Sequence, residues 1–186
     1  MNSKERVLTA LRRTGIPDRV PLQFDLCRSL LDAFGAKHGI PVHYTTAYYE
    51  DVTYRLSANE LRVAMGSDCV IVGASLPRDY EHPVDENGYI INEFNMKLRQ
   101  GPVYMEVIAP PPMAHFETPE DVEAFKFPDP LAEGRFDDAA MYIGKYGDEY
   151  FIIGDMELTM FDLMHLSVGM EKLLIDMAMG KPYVEA

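Results

Sequence analysis

Several features that would identify a function at once are missing from this sequence. It contains no tryptophan and two cysteines, Cys27 and Cys69, which fall in no Cys-x-x-Cys or Cys/His ligand spacing. Isolated thiols of this kind are typical of a reducing compartment, so we expect both to be reduced. GxGxxG, GxxxxGK[ST] and GxSxG patterns are absent as well. The sequence therefore gives no support to a dinucleotide site, a P-loop or a serine hydrolase.

Positive charge and long apolar runs are also scarce. Against 30 acidic residues there are 17 basic ones, and the formal net charge of −13 would repel phosphate backbones and anionic lipid. We therefore expect neither nucleic acid nor a membrane surface as a partner. No apolar run approaches the roughly 20 residues of a spanning helix, and residues 1–6 lack the apolar core of a signal peptide, which predicts a cytoplasmic protein. Five scattered histidines form no HExxH or HxH spacing, so no metal site is predicted by motif.

What is present is enough apolar sequence for a substantial core, 47% of 186 residues. Apolar residues at helical spacing predict helices, several of them with capping residues at their starts. These predicted helices span residues 2–13, 26–37, 44–55, 59–65, 118–125, 136–146, 158–168 and 170–179. A further helix is expected to open at residues 181–185, one residue before the sequence ends.

Three short apolar runs, at residues 20–25, 69–73 and 150–154, are predicted as strands one, two and three. Because they are apolar throughout and separated by helices, they indicate a parallel sheet with helices outside it. Short strand-like pieces over about 87–108 predict a small antiparallel insertion. The fold class expected from these segments is therefore α/β.

In a β/α barrel the chemistry collects where the strands end, so we examined the residues beside each apolar run. These candidates are Asp25, Cys27 and Arg28 by strand one, Asp68 by strand two, and Asp155, Glu157 and His165 by strand three. Some of them have structural alternatives. Asp68 precedes its strand and can satisfy loop amides, while Asp25 can cap the following helix. His165 can be a packed, hydrogen-bonded histidine, and the 12 methionines are best explained as core filling.

Three parts of the chain resemble the uroporphyrinogen decarboxylase superfamily, and more closely its methyltransferase-like branch. They are Ser3–Leu11 with Pro17–Pro21, Thr118–Phe125 with Phe127–Pro130, and Phe161–Val168 with Gly169–Met177. The resemblance covers essentially the whole chain. It implies that the chain is the amino-terminal half of a (β/α)₈ TIM barrel, with residues 1–186 as a single partial domain. It also implies that the part of the barrel that usually completes the active site is absent.

The resemblance assigns roles to particular residues. Asp68 falls where the decarboxylases carry the aspartate that holds the pyrrole NH groups of a tetrapyrrole, a task that suits a carboxylate. His165 falls near a substrate-facing tyrosine of those enzymes. We therefore predict Asp68 as the catalytic residue, and Asp25, Arg28, Glu157 and His165 as substrate-binding residues.

The departures from the decarboxylases favour the methyltransferase-like branch. Decarboxylases carry an arginine-rich stretch with a Gly-Arg-Tyr motif after strand one, where this chain has Asp25–Ser29, and a lone Arg28 cannot clamp eight carboxylates. The methyltransferase-like branch implies a corrinoid (cobalamin) cofactor and zinc that makes a thiolate. Its zinc ligands, a His-x-Cys and a later Cys, belong to the second half of the barrel, so we assign no metal site to this chain.

The predicted function is corrinoid-dependent methyl transfer to or from a small molecule or a thiol, with a corrinoid protein as a partner. One alternative is decarboxylation of a tetrapyrrole of the uroporphyrinogen type. Another is a truncated, non-catalytic half-barrel, which leaves open whether this chain by itself is an enzyme. Because half a barrel exposes sheet edges and an apolar face, this alternative predicts a homodimer or another self-associated form.

Overall fold

The computed structural model describes residues 1–44, 54–101, 103, 105–156 and 160–186. The helix predicted over residues 44–55 lies almost entirely outside these described residues. The chain forms two compact units, each with its own core. Unit 1 comprises Met1–Arg78, Pro102–Tyr104 and Ala132–Met156, and unit 2 comprises Asp79–Gly101, Met105–Leu131 and Glu157–Ala186. The half-barrel and the single partial domain stay predictions.

Unit 1 is built from helices around a parallel pair of strands. Its elements are α1 (Ser3–Arg12), α2 (Arg28–His38), α3 (Asn59–Ala64), β1 (Cys69–Val72), α5 (Asp137–Tyr146) and β5 (Phe151–Gly154). β1 and β5 pair in parallel, from Cys69 opposite Phe151 to Val72 opposite Gly154. This confirms the second and third predicted strands and their parallel direction. All four residues of β1 are buried, as its continuous apolar run predicts.

The start of α1 follows from local sequence. The side chain of Asn2 accepts a hydrogen bond from the Glu5 amide at 2.8 Å, and the Glu5 carboxylate accepts one from the Asn2 amide at 3.0 Å. This reciprocal capping box satisfies two amide donors that the first helical turn leaves unpaired. The helix predicted over residues 2–13 is thereby confirmed, with Asn2 as its capping residue.

The strand predicted over residues 20–25 is wrong, because this segment joins no β-ladder. It contacts the start of β1 through the Asp68 amide, which donates to the Leu22 carbonyl at 2.7 Å. Further along β1, the backbone groups of Ile71 are bonded to a side chain instead of a strand. The Asn59 side chain accepts from the Ile71 amide at 3.1 Å and donates to the Ile71 carbonyl at 2.8 Å. A strand at this edge would have to compete with Asn59 for the same two groups.

Unit 2 combines a small antiparallel sheet with helices. Its elements are β2 (Ile90–Ile91), β3 (Lys97–Gln100), β4 (Met105–Ile108), α4 (Pro119–Ala124), α6 (Phe161–Val168), α7 (Met170–Met179) and a 3₁₀-helix (Pro182–Val184). The strand order is β2-β3-β4, and both pairings are antiparallel. The predicted antiparallel insertion is confirmed, as are the helices on either side of Gly169. The residue that separates them has φ +100°, a conformation that favours glycine.

The helices of unit 2 enclose a core of their own. Met113, Phe116, Val168, Leu173 and Tyr183 are its buried residues. Of the helices in the described part of the chain, none is long and apolar enough to cross a bilayer.

Candidate functional site

Polar side chains meet where the two parallel strands of unit 1 end. Asp155 directly follows β5, and its amide donates to the carbonyl of Val72, the last residue of β1, at 2.8 Å. The Arg55 guanidinium lies 3.8 Å from the Asp155 carboxylate and 3.4 Å from the Asp25 carboxylate. Arg55 thus joins two carboxylates at the carboxyl ends of the strands. We call Asp25, Arg55 and Asp155 the strand-end cluster.

The three members of the cluster differ in exposure. The side chains of Asp25 and Arg55 are 42% and 38% exposed, whereas that of Asp155 is 16% exposed. A ligand at this end of the sheet therefore reaches the first two side chains from solvent. The Asp155 side chain is the least accessible of the three.

A glycine allows the strand ends to come this close together. A Cβ atom at Gly73, the residue after β1, would lie 2.9 Å from the Asp155 carbonyl oxygen. Such a contact with backbone is shorter than packed atoms tolerate, so any other residue would push β1 and the segment after β5 apart. Gly73 therefore fixes the position of Asp155.

A second arginine, which is buried, also contacts the Asp25 carboxylate. Arg62 on α3 is 2% exposed, and one of its guanidinium nitrogens lies 3.4 Å from the Asp25 carboxylate. Another nitrogen donates to the carbonyls of Arg55 and Ser57 and to the Asn59 side chain. Arg62 thus ties the Asp25 carboxylate to the backbone segment that carries Arg55.

This arrangement offers donors and acceptors side by side. Arg55 donates N–H groups, and the carboxylates of Asp25 and Asp155 accept hydrogen bonds. A ligand with amide or hydroxyl groups can satisfy both kinds of partner at once. A polyanion would meet two carboxylates, and the arginines beside them are already paired with those carboxylates.

Asp68, the predicted catalytic residue, lies at the other end of β1 and is fully buried. One carboxylate oxygen accepts from the Ser3 hydroxyl at 2.8 Å and from Arg6 at 2.6 Å and Arg19 at 2.8 Å. The second accepts from Arg19 at 2.7 Å and from the Leu22 amide at 2.8 Å. Five donor groups therefore surround this carboxylate. Through them, Asp68 ties the residue before β1 to α1 and to the segment that follows α1.

The hydrogen bonds to this carboxylate favour its charged form. Burial acts to raise the pKa of Asp68, but the hydrogen bonds from the Leu22 amide, Ser3, Arg6 and Arg19 outweigh it. The net result is a pKa below the ordinary value of an aspartate.

The Asp68 network continues outward through Arg6. Its guanidinium also donates to both oxygens of Asp18, at 2.6 and 2.9 Å. This hydrogen-bonded pair lowers the pKa of Asp18 and raises that of Arg6. Arg6 and Arg19 thus contact Asp68 directly, and Asp18 joins the network through Arg6.

Arg28 and Cys27 lie at the start of α2. The Arg28 guanidinium stacks over the Tyr44 ring, 4.7 Å from its centroid. Cys27 is the N-cap residue of α2, so the alternative of Asp25 as the cap does not hold. A hydrogen bond with the Ser29 hydroxyl and one from the Leu30 amide lower the pKa of the Cys27 thiol.

His165 belongs to unit 2, on α6. One ring nitrogen lies 3.3 Å from the Asp162 carboxylate, one turn earlier in the helix, and the ring packs at a tilt against that of Phe161, 5.5 Å between centroids. Its side chain is mostly buried. These contacts fit the packed, hydrogen-bonded histidine that was the alternative to a substrate-binding role.

The remaining predicted site residue, Glu157, lies outside the described residues. Within residues 1–44, 54–101, 103, 105–156 and 160–186, no three His, Cys, Asp or Glu side chains are grouped as ligands for a metal ion. The structure therefore brings together Asp25 and Asp155 among the predicted candidates. Arg55 and Arg62 were missed, because no sequence spacing links them to carboxylates 30 or more residues away, as in the pair Arg62 and Asp25.

Comparison of this chain with family models, with curated proteins and with solved structures finds no match.

Proposed function

We propose that the chain is a methyltransferase-type member of the uroporphyrinogen decarboxylase superfamily that takes part in corrinoid-dependent methyl transfer to or from a small molecule or a thiol. A corrinoid protein is the partner that this function requires. The observation that carries the proposal is the strand-end cluster. It lies at the carboxyl ends of two parallel strands that pair in register, which is where β/α barrels place their chemistry.

The cluster has the chemistry to bind the edge of a corrinoid. Corrinoid side chains end in neutral carboxamides, which both donate and accept hydrogen bonds. Asp25 accepts from an amide N–H, and Arg55 donates to an amide C=O. A bound corrinoid would supply the chemistry of methyl transfer, and Asp25 and Arg55 would hold its side-chain amides. No residue of the described chain is assigned to zinc.

The same cluster disfavours decarboxylation of a uroporphyrinogen. A substrate with eight carboxylates needs cationic partners. Here the positive charge of Arg55 is already balanced by its ion pairs with Asp25 and Asp155. The net charge of −13 adds a general repulsion against such a polyanion. A methyltransferase should therefore bind a tetrapyrrole with neutral side chains, such as a corrinoid, more tightly. A decarboxylase should prefer one with anionic side chains.

The test is a titration of the purified chain with hydroxocobalamin and, separately, with uroporphyrin, followed by visible absorbance. We expect saturable binding of the corrinoid and much weaker binding of the porphyrin. Asp25→Asn and Asp155→Asn should each weaken corrinoid binding about tenfold, or about 1.4 kcal/mol, because they remove an anionic acceptor and its partner for Arg55. Asp148→Asn is the matched control, since this exposed aspartate precedes β5 at its opposite end.

Three results would contradict the proposal. Preferential binding of uroporphyrin would favour the decarboxylase. Equal effects of the three asparagine variants would show that the strand-end cluster is not the contact. No binding of either tetrapyrrole by folded protein would favour the non-catalytic half-barrel.

A further inference from the structure

Unit 2 contains a cavity of about 240 Å³, distinct from the strand-end cluster of unit 1. Its walls come from α6, from the 3₁₀-helix and from the segment around Met113 and Phe116. Aromatic rings form much of the wall, including those of Phe94 and Tyr183. The volume exceeds the roughly 150 Å³ of a cavity that holds benzene, and it is below the roughly 300 Å³ of the smallest drug-sized sites. It therefore fits a compact molecule of one or two rings.

One wall of the cavity is rigidly supported. The Tyr183 hydroxyl donates to the Asp176 carboxylate at 2.6 Å, and Lys172 donates to the same oxygen at 2.5 Å. Both hydrogen bonds stabilise the charged carboxylate and lower the pKa of Asp176. Because the Tyr183 side chain is anchored from behind, its ring cannot easily turn inward and fill the space.

Besides the Tyr183 phenol, which is bonded to Asp176, the described residues that line this apolar cavity include Ser167 with a buried hydroxyl. Ser167 is 1% exposed, and its side-chain oxygen has no hydrogen-bond partner among the described residues. A helical serine usually donates to the carbonyl four residues earlier, which here belongs to Leu163. The backbone of Ser167 is fixed nevertheless, because its carbonyl accepts from the Met113 amide at 2.8 Å. A buried hydroxyl without a partner is unfavourable, and a ligand in the cavity can supply one.

The lining also limits the charge of the occupant. Glu185 is the one ionisable acid or base side chain, other than the Tyr183 phenol, among the described residues that line the cavity. With no cationic side chain on the lining, an anion would be desolvated without compensation. A neutral molecule meets no such penalty.

We propose that this cavity binds a compact, neutral aromatic molecule that carries one hydrogen-bonding group, and that the Ser167 hydroxyl is the partner of that group. The site is independent of the proposed methyl transfer, since every residue that lines it lies in unit 2. A failure of one proposal therefore leaves the other standing.

The test uses three naphthyl probes: 2-naphthol, naphthalene, which lacks the polar group, and 2-naphthoate, which is anionic. Because the chain has no tryptophan, naphthyl fluorescence can be excited beyond tyrosine absorption. We expect saturable binding in the order 2-naphthol, naphthalene, 2-naphthoate. Ser167→Ala should weaken 2-naphthol about fivefold and leave naphthalene within about twofold, since it removes one neutral hydrogen bond. Ser29→Ala, at an exposed serine of unit 1, is the matched control.

A second variant and a second measurement separate binding from folding. Val122→Phe places a large ring at the cavity wall without adding a tryptophan, and should abolish binding of all three probes. The melting temperature of Ser167→Ala should not fall, because the variant deletes an unpartnered buried hydroxyl. No saturable binding by folded protein, equal binding of 2-naphthol to Ser167→Ala and its parent, or tighter binding of the anion would each overturn the proposal. Binding that strengthens on dilution would show that a second copy of the chain covers the cavity, and would overturn it too.

Discussion

At the scale of single residues, Asp68 was expected from the resemblance to contact a tetrapyrrole, with a structural role as the alternative. In the structure its five hydrogen bonds all come from the chain itself, and it lies at the amino end of β1. The donors come from residues 3–22 and converge on position 68. No spacing rule connects such distant positions, so this network was not predictable.

The expected effect of changing Asp68 is therefore a loss of stability. Asp68→Ala removes the common partner of Arg6 and Arg19 and should lower the free energy of unfolding by about 3 kcal/mol. This is near the lower end for broken buried ion pairs, because Arg19 is half exposed and can regain water. Chemical denaturation at pH 7 measures it, with Asp148→Asn as the control for the loss of a carboxylate. An unchanged unfolding midpoint would contradict the structural role.

The pH dependence of a second variant, Asp68→Asn, provides another check of the structural role of Asp68. Because the folded-state pKa of Asp68 is below the unfolded value of 3.8, its contribution is complete above pH 3.8 and is lost as the pH falls through the folded value. The difference in stability between the parent chain and Asp68→Asn should therefore shrink on acidification below about pH 4. A difference that stayed constant down to pH 2 would be inconsistent with a lowered pKa.

At the scale of elements, local sequence predicted the helix starts and the strands β1 and β5 well. It did not predict which segment pairs at the edge of β1. The capping box at Asn2 and the start of α4 after Thr118 depend on residues within one turn, so the sequence contains all the necessary information. The buried strand β1 and the partly exposed strand β5 were likewise visible as apolar runs. The strand at 20–25 was predicted on the same basis but failed. Its place beside Ile71 is taken by an asparagine 12 residues away, on α3.

The edge of β1 should accordingly depend on Asn59. Asn59→Ala leaves the buried amide and carbonyl of Ile71 without partners and should destabilise unit 1 by about 2 kcal/mol. Amide hydrogen exchange at Ile71 should accelerate more than exchange at Val70, which lies on the same strand. Asn59→Asp keeps an acceptor for the Ile71 amide but loses the donor, so its effect on exchange should be smaller. Equal protection of Ile71 in all three proteins would contradict this account of the edge.

The strand-end cluster contains both residues that the sequence indicated and a residue that it did not. Asp25 and Asp155 were candidates from sequence because each follows an apolar run, although the first of those runs is no strand and Asp155 was assigned no role. Arg55 was hidden within a predicted helix, 44–55, whose apolar spacing gave no sign of a role at the strand ends. Carboxyl-end residues are thus predictable as a class, whereas the partner that connects them depends on the three-dimensional path of the chain.

At the scale of the whole molecule, two opposed forces act on any encounter between copies of the chain. The net charge of −13 produces a mutual repulsion that salt screens. Apolar side chains on the solvent-facing side of α7 act in the other direction. Met170, Leu174 and Met177 follow one another at helical spacing and are 43–50% exposed. Such a stripe is what the half-barrel interpretation expects of a face that normally packs against another element.

The prediction is concentration-dependent self-association that becomes stronger as salt is added, measured by sedimentation velocity. Leu174→Glu places a charge in the middle of the stripe, and we expect it to shift the equilibrium to monomer at every salt concentration. Leu131→Glu is the matched control, because this leucine is 81% exposed and lies outside the stripe. If both variants weakened association equally, added charge in general would be responsible. A parent chain that stayed monomeric in high salt would show that electrostatic repulsion is not what keeps the copies apart, and that burying the stripe releases too little free energy to hold a dimer together.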